Sequence, residues 1–471
     1  MAKLAFLQNS WIELIGPMII SAVLKKNGHS CEVFIGNKKN IFKDILNYNP
    51  DVIAFSCTTG QHKWAVKMSR AIRNELNFSG KILIGGPHPT FFPEVINQDS
   101  IDIICRGEGE GAILDLMNNL GGNITKIKNL WVKENGKIHK NELRPLVENL
   151  DELPIADRSI YYKYKFLGDN PVKTIMASRG CPYNCSFCFN HTLKKMYEGK
   201  GRYLRCRSVE NVIKELKHLK ENYKVKIIKF YDDTFTLHRK WLFEFLDEYK
   251  REIGLPFICL IRLDLEDEEV ISKLKEAGCF MVMVGLESGC EKIRNEVLRK
   301  NLTDEQIFNT SRLLKKYKLK FCSGVMVGVP GETLDDVYKT IRLNQRIKAD
   351  DVYCSVFQPY PRTDLAEYSV KLGYVDKIDV ENIGGSYQNS VLKNKDMNKI
   401  INLSYFFYLA VKLPFLMPVI NLLIKFPPNR LFFFIQNLAF SYSYYKRSNI
   451  SFFRLLREIL YHHKYHLGDS E

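Results

Sequence analysis

Short apolar runs alternate with amphipathic stretches through the first 120 residues. The runs Lys3 to Leu7, Cys31 to Ile35, Asp51 to Phe55, Lys81 to Ile84 and Ile101 to Cys105 predict strands. The stretches near Pro17 to Lys26, Ile41 to Leu46, Lys63 to Leu76, Phe92 to Asn97 and Gly109 to Met117 predict helices between them. Strict alternation of this kind implies an α/β domain built on a doubly wound parallel sheet. Ligands of such sheets sit beyond the carboxyl ends of the strands, at the switch point. Polar or Gly-rich turns stand there: Gln8-Asn9-Ser10, Ser56-Cys57-Thr58-Thr59-Gly60 and Gly85-Gly86-Pro87-His88-Pro89.

Beyond Leu120 the pattern changes. Leu130 to Lys133 and Lys137 to Lys140 flank Asn135-Gly136, a strong hairpin signal. The acidic, proline-punctuated run Asn149 to Asp157 then suggests a boundary. Alternation resumes at a longer period with Thr174 to Ala177, Lys226 to Tyr231, Pro256 to Ile261, Phe280 to Val284, Phe321 to Val327 and Val352 to Phe357. Six such units predict a partial (β/α)6 barrel, with its chemistry on the loops after the strands. The expected organisation is therefore 1–147 with an edge hairpin, a linker at 148–172, the barrel at 173–375, and a helical, aromatic and basic region at 376–471. Prolines and lysines break the apolar runs of 403–445, so a membrane-spanning helix is not expected. Aromatics interleaved with Lys and Arg, with no acid from Leu403 until Glu458, suit either helices at a membrane interface or a cap over the barrel.

The 471 residues are 45% hydrophobic and 12% aromatic, enough to bury real cores and to exclude a disordered or low-complexity chain. A net charge of +16 favours an anionic partner, whether lipid, nucleic acid or a phosphorylated substrate. No module for nucleic-acid binding is recognisable, and none is expected. The start Met1-Ala-Lys-Leu-Ala carries no secretory signal, which places the chain in a reducing cytoplasm. There, clustered thiols among the 12 cysteines read as metal ligands rather than disulfides.

Cys181, Cys185 and Cys188 form such a cluster, in Ser178-Arg179-Gly180-Cys181-Pro182-Tyr183-Asn184-Cys185-Ser186-Phe187-Cys188, after the first barrel strand. A loop of this length brings three sulfurs to one small object. Iron–sulfur clusters normally take four Cys, so three leave one iron open to a ligand. Zinc is the rival, with His191 as a compact fourth ligand. The string ending in Phe187-Cys188 resembles the signature of the radical S-adenosylmethionine (radical SAM) superfamily. That resemblance implies a 4Fe-4S cluster whose open iron is chelated by S-adenosylmethionine, which is cleaved to a 5′-deoxyadenosyl radical. It also implies roles for the following loops. Gly285-Leu286-Glu287-Ser288-Gly289 is similar to the ribose-binding segment, and Gly324 to Thr333, with Gly328, is similar to the stretch against the adenine. Arg262 looks like the cation for the cofactor carboxylate, and Asp233 lies in a loop similar to those facing the cavity. Asp233 reads equally as a cap for a helix beginning near Leu237.

The first domain lacks both Gly-x-Gly-x-x-Gly after its first strand and a Walker sequence. Its pieces resemble the cobalamin-binding domain that precedes the radical domain in one subclass: Pro50 to Ser56, Gly85 to Thr90, and Arg106-Gly107-Glu108-Gly109-Glu110. Gly85 and Gly86 permit close backbone approach to a flat ligand, and Ser56, Thr58 and Thr59 offer hydroxyls. The loop that supplies an axial histidine to cobalt in many cobalamin proteins is absent, Ser10 to Leu14 standing in its place. His88 reads as a residue that shapes the loop or contacts a propionamide. The expected function is a radical SAM enzyme that, with cobalamin, methylates or cyclises at an unactivated carbon of a small molecule, with a lipid-like substrate and an aromatic or macrocyclic one both open. It would need an external donor of the flavodoxin or ferredoxin type and could touch a membrane peripherally. Two rivals stand beside it: methylthio transfer with a second cluster on Cys31, Cys57 and Cys105, and a membrane-associated iron–sulfur electron carrier.

Overall fold

The computed structural model describes residues 1–383 and 390–448. Residues 449–471 of the expected C-terminal region lie outside the described residues. The chain's described residues form two compact units, 1–170 with 197–202, and 171–196 with 203–448.

In the first unit the strands are β1 (Lys3–Gln8), β2 (Ser30–Ile35), β3 (Val52–Ser56), β4 (Lys81–Gly85), β5 (Ile103–Cys105), β6 (Leu130–Glu134) and β7 (Lys137–Lys140). Its helices are α1 (Ile15–Lys26), α2 (Lys38–Tyr48), α3 (Gln61–Leu76), α4 (Pro87–Phe91), α5 (Glu110–Asn118), α6 (Ser159–Tyr162) and α7 (Lys165–Gly168). The sheet order is β2-β1-β3-β4-β5-β6-β7, parallel through β5 and antiparallel beyond it. The order reverses between β1 and β3, so the carboxyl ends of these two strands open the crevice in which doubly wound sheets bind ligands. Successive residues alternate between two cores. Leu4, Phe6, Val52, Ala54 and Leu83 face one, while Ala5, Leu7, Ile53, Phe55 and Ile82 face the other. Burial on both faces is why these strands read as unbroken apolar runs. Asn135 and Gly136 both take positive φ, the geometry of a tight hairpin turn.

The stretch expected as a linker packs instead into the first unit. Ile160, Tyr161 and Leu167 join its core, and Asp157 accepts a hydrogen bond from Ser21 at 2.6 Å and an ion pair from Lys25 at 2.7 Å. The sequence around Asp157 is acidic and proline-broken, which hid the four-residue helices that carry those apolar side chains.

The second unit holds β8 (Val172–Ile175), β9 (Ser178–Arg179), β10 (Arg205–Cys206), β11 (Ile227–Phe230), β12 (Phe257–Ile261), β13 (Cys279–Glu287), β14 (Lys320–Val327) and β15 (Asp351–Val356). Six of them form one parallel sheet in the order β15-β14-β13-β12-β11-β8. This is the curled half-barrel of the α/β class. The two-residue strands β9 and β10 pair separately as an antiparallel ribbon. Helices follow the strands: α8 (Phe189–Met196), α9 (Val209–Asn222), α10 (Arg239–Glu252), α11 (Glu268–Glu276), α12 (Asp304–Lys316), α13 (Leu334–Arg346) and α14 (Asp364–Lys371). Ser208, Asp267, Thr303 and Thr333 cap four of them, the last two in capping boxes. Then come α15 (Met397–Lys412), α16 (Met417–Leu423) and α17 (Arg430–Ser448). Helix α15 is buried through Ile400, Leu403, Phe406, Phe407 and Ala410 in the main barrel core. Asn402 of that helix donates to the carbonyl of Phe426 at 2.6 Å, and Phe440 of α17 stacks on Tyr353 of β15. No described helix is long and apolar enough to cross a membrane.

Candidate active site

Glycine 180 starts the cysteine loop with φ 93°, and a Cβ there would sit 2.4 Å from the Tyr203 carbonyl, so the turn into the loop requires glycine. The loop is tied at its centre by Ser186, whose N–H donates to Leu298 O at 3.1 Å and whose hydroxyl donates to Val297 O at 2.6 Å. Lys194 of α8 donates to Pro182 O at 3.0 Å, and the Cys188 N–H to Cys185 O at 3.1 Å. Cys185 is buried, while Cys181 and Cys188 are partly accessible. Burial pushes the Cys188 thiol up to about 11 and raises that of Cys181, with Asp233 and the neighbouring thiols adding to both. The three sulfurs are thus within electrostatic reach of one another. Phe187 packs against the barrel core. His191 turns to Asn184 at 3.0 Å and Asp364 at 3.3 Å.

At the rim of the sheet, Arg262 directly follows β12. Its guanidinium makes two 2.9 Å bonds to Asp264, a third to Lys300 O, and lies 3.6 Å from the centre of the Tyr183 ring in the cysteine loop. Strand β13 shifts register against β14 between Gly285 and Glu287, and Glu287 takes φ 65°. Such a bulge at a barrel rim re-aims a side chain. The Glu287 carboxylate meets Lys300 Nζ at 3.0 Å directly over Gly285. Ser288 is fully buried, its hydroxyl accepting from Cys290 N–H at 3.2 Å. Gly328 has φ 74° and donates its N–H to Glu332 Oε2 at 2.5 Å. Asp233 remains accessible, and α10 begins only at Arg239 with His238 before it, so Asp233 does not cap that helix.

In the first unit the predicted loops crowd the ends of β3, β4 and β5. Gly86 (φ 93°) is needed because a Cβ would lie 3.0 Å from both the amide nitrogen and the carbonyl oxygen of Cys57. Thr58 is exposed, and its hydroxyl donates to Gln61 at 3.0 Å; Ser56, Thr59 and Gly85 are half-buried. His88 is buried beneath the loop, 3.2 Å from the Thr59 hydroxyl and stacked 3.8 Å from His62. Burial, then His62, pushes the His88 imidazole down to about 3. It shapes the loop from below. Glu108 accepts from Val147 N–H at 3.0 Å and its own N–H donates to Tyr197 at 3.0 Å, while Glu110 is buried at the start of α5.

Tyr183, Asp264 and Lys300 were not singled out from the sequence. Tyr183 lies inside the cysteine string, where its spacing alone could have flagged it; Lys300, thirteen positions beyond Glu287, has no local signal.

A three-cysteine loop after the first strand of an open parallel sheet, preceded in the chain by a doubly wound unit, defines an α/β architecture of the class that binds its ligands at the carboxyl ends of its strands. The family profile "Radical SAM superfamily" matches residues 175–343 and "B12 binding domain" matches residues 12–117. An uncharacterized methyltransferase of Pyrococcus horikoshii is 34% identical over 337 residues, 70% of this chain and 72% of that protein. The anaerobic magnesium-protoporphyrin IX monomethyl ester cyclase of Rubrivivax gelatinosus is 26% identical over 381 residues, 77% of this chain and 66% of that protein. The structure of the cobalamin-dependent radical enzyme OxsB with aqua-cobalamin and S-adenosylmethionine bound superposes with TM-score 0.62 at 21% identity, over 82% of this chain and 57% of that one. The chain belongs to the radical SAM superfamily, in the group that carries an N-terminal B12-binding domain.

These memberships imply a 4Fe-4S cluster, S-adenosylmethionine and cobalamin. Among the described residues no three His, Cys, Asp or Glu side chains already stand as a metal-ligand set. The donors nonetheless fit a cluster with one open iron: three soft thiols on one pinned loop, with His191 committed elsewhere. Small polar side chains and glycines at the switch point fit cobalamin as well. They fit it without a histidine from these loops, because His62 and His88 are both buried against each other.

Proposed function

We propose that the chain is a C-methyltransferase acting on an unactivated carbon of an apolar, lipid-like small molecule. The observation that carries this reading is the joint presence of the three-thiol loop at the barrel rim and a B12-binding domain whose loop histidines are turned into the core. When bound, the cluster and S-adenosylmethionine supply hydrogen abstraction, and methylcobalamin supplies the methyl group. This chain's residues hold and orient. Cys181, Cys185 and Cys188 would ligate three irons, and Phe187 would wall the loop from the barrel core. Glu287, aimed by its bulge, would accept hydrogen bonds from the ribose hydroxyls, with Gly285 leaving it room. Arg262, preoriented by Asp264, would face the cofactor carboxylate. Asp233 would line the cavity, and Gly328 would bring backbone against the adenine. Ser288 would act from beneath, holding the turn after Glu287. In the first unit Ser56, Thr58, Thr59, Gly85, Gly86, Glu108 and Glu110 would border cobalamin, supported by His88. The proposed organisation is a cobalamin unit, a barrel and a helical C-terminal region. An electron donor of the flavodoxin or ferredoxin type would reduce the cluster in the cytosol, and the C-terminal helices would bring the enzyme to a membrane surface.

Cyclisation uses the same parts and is the second reading, favoured by the likeness to the cyclase of Rubrivivax. Methylthio transfer fits poorly. Cys31 and Cys105 lie in one core of the first sheet and Cys57 in the other, all three pushed up to about 12 by burial. The test is protein purified without oxygen from cells supplied with cobalamin, assayed for iron, sulfide, corrinoid and 5′-deoxyadenosine. About four irons per chain with one corrinoid are expected, and Cys185→Ala should abolish 5′-deoxyadenosine. Retention of that product in Cys185→Ala refutes the cluster assignment.

A further inference from the structure

The helices after the barrel are apolar on two sides. Inward, Ile420, Ile424, Phe432 and Ala439 are buried. Outward, Phe415, Val419, Leu422 and Phe426 are exposed at spacings of four, three and four, and Leu431, Phe434 and Leu438 at three and four. Val419 and Leu422 share one face of α16, with Phe415 in the turn before it and Phe426 in the turn after it, and Leu431, Phe434 and Leu438 share one face of α17. Phe415 is 73% exposed, and the other six side chains keep about half or more of their surface open. Contiguous exposed apolar surface of this kind marks an interaction site.

We propose that the outward faces of α16 and α17, with the Phe415 turn, form a docking surface for an anionic lipid bilayer; this deepens the peripheral contact in the proposed function and rests on it. Charge decides the occupant. From Met397 to Ser448 the sequence holds Lys399, Lys412, Lys425, Arg430, Lys446 and Arg447, and no Asp or Glu; Lys399 pairs with Asp396 and Lys412 donates to Ala349 O, so the charge argument rests on Lys425 and Arg430. Lys425 and Arg430 are exposed beside the apolar stripes. A second copy of the chain would set cation against cation across a two-fold interface, which is costly, whereas acidic headgroups complement the same pattern. Apolar and aromatic residues on one face with flanking cations is the composition of helices that lie in the interface plane. Prolines confine α16 to Met417–Leu423, and no described helix, α17 included, is long and apolar enough to cross a membrane, so the surface lies on the bilayer rather than through it. Such docking would place the barrel next to a substrate that partitions into lipid.

The experiment is flotation of the full-length holoenzyme with vesicles of phosphatidylcholine alone and of phosphatidylcholine mixed with phosphatidylglycerol. The expected result is co-flotation with the mixed vesicles only, weakened by salt. Leu422→Ser and Phe434→Ser should each lower partitioning about tenfold, the transfer cost of one large apolar side chain. Lys425→Gln with Arg430→Gln should lower it about thirtyfold. Both sets lie at the surface, so iron content and 5′-deoxyadenosine formation should match the parent enzyme and report that the fold is intact. Failure of the parent to float overturns the proposal, including the case in which residues 449–471 or a protein partner cover the face. Equal flotation of the variants overturns it too, as does light scattering that shows a dimer broken by Leu422→Ser in a protein that does not float. Flotation without 5′-deoxyadenosine formation in the parent would sink the proposed function and leave the docking surface standing.

Discussion

Replacing Gly285 by alanine separates the proposed ribose site from the fold. A Cβ at this position would lie 2.4 Å from Glu287 Oε1 and 2.8 Å from Lys300 Nζ. Ordinary contact lies near 3.5 Å, so the carboxylate and the ammonium must each withdraw by about 1 Å. Both atoms are the far ends of flexible side chains, and Gly285 sits in a strand without positive φ. Alanine is accommodated there, even slightly favoured by backbone entropy, at about 0.5–1 kcal/mol over glycine. The fold should therefore lose almost nothing, while the Glu287–Lys300 pair, only 16% and 11% exposed, loses its 3.0 Å geometry. If Glu287 binds the ribose, displacement removes one charge-assisted hydrogen bond worth about 1.5–3 kcal/mol, a loss of roughly ten- to hundredfold in affinity. The assay is anaerobic equilibrium binding of S-adenosylmethionine to cluster-loaded protein, paired with thermal unfolding, with Gly121→Ala, where nothing lies within 4 Å, as the control. Gly285→Ala that binds the cofactor within twofold of the parent, or that loses its cluster and unfolds early, refutes the placement of the ribose beside Glu287.

Other outcomes follow from the same geometry. Gly289→Ala forces a Cβ to 2.4 Å from Thr340 Cα and 2.6 Å from Lys339 O, rigid backbone that cannot yield, so stability should drop by about 3 kcal/mol or more and the melting temperature should fall clearly in a thermal scan. Phe245→Ala empties a site packed by Phe230, Phe235, Trp241 and Tyr249 and should cost about 3–5 kcal/mol in chemical denaturation. Burial pushes the Glu332 carboxyl up to about 8, against the bonds it accepts from Gly328 and Val329. A raised acid pKa means that the folded state binds the proton more tightly. Its contribution is fully present below the unfolded value near 4.5 and is lost as pH rises through about 8. Glu332→Gln should flatten the stability profile between those limits and exceed the parent at alkaline pH; an unchanged slope contradicts the assignment.

Much of the protein could be read along the chain because its signals are local. Each of the eleven main parallel strands starts or ends within two or three residues of the apolar run that predicted it, since burial on both sheet faces imposes continuous hydrophobicity over a few residues. The cysteine string was legible for a similar reason: one loop must carry all three thiols, so their spacing is written in the consecutive positions from Cys181 to Cys188. The ribbon of β9 and β10 was not, because two residues carry no periodicity and their pairing, Arg205 with Arg179, spans 26 positions.

The sequence by itself determined the two α/β units, the hairpin at Asn135-Gly136, the three-cysteine loop and the family membership. Tertiary structure alone decided that Lys300 answers Glu287 and that Asp264 and Tyr183 hold Arg262. It also decided that His88 stacks on His62, and that, among the described residues, apolar side chains on one side of α16 and α17 stay exposed. Periodicity and turn chemistry are properties of neighbouring residues, so a chain displays them before it folds. Which distant side chains meet, and which apolar faces stay uncovered, follows from strand order and helix packing, and these exist only once the sheets have formed.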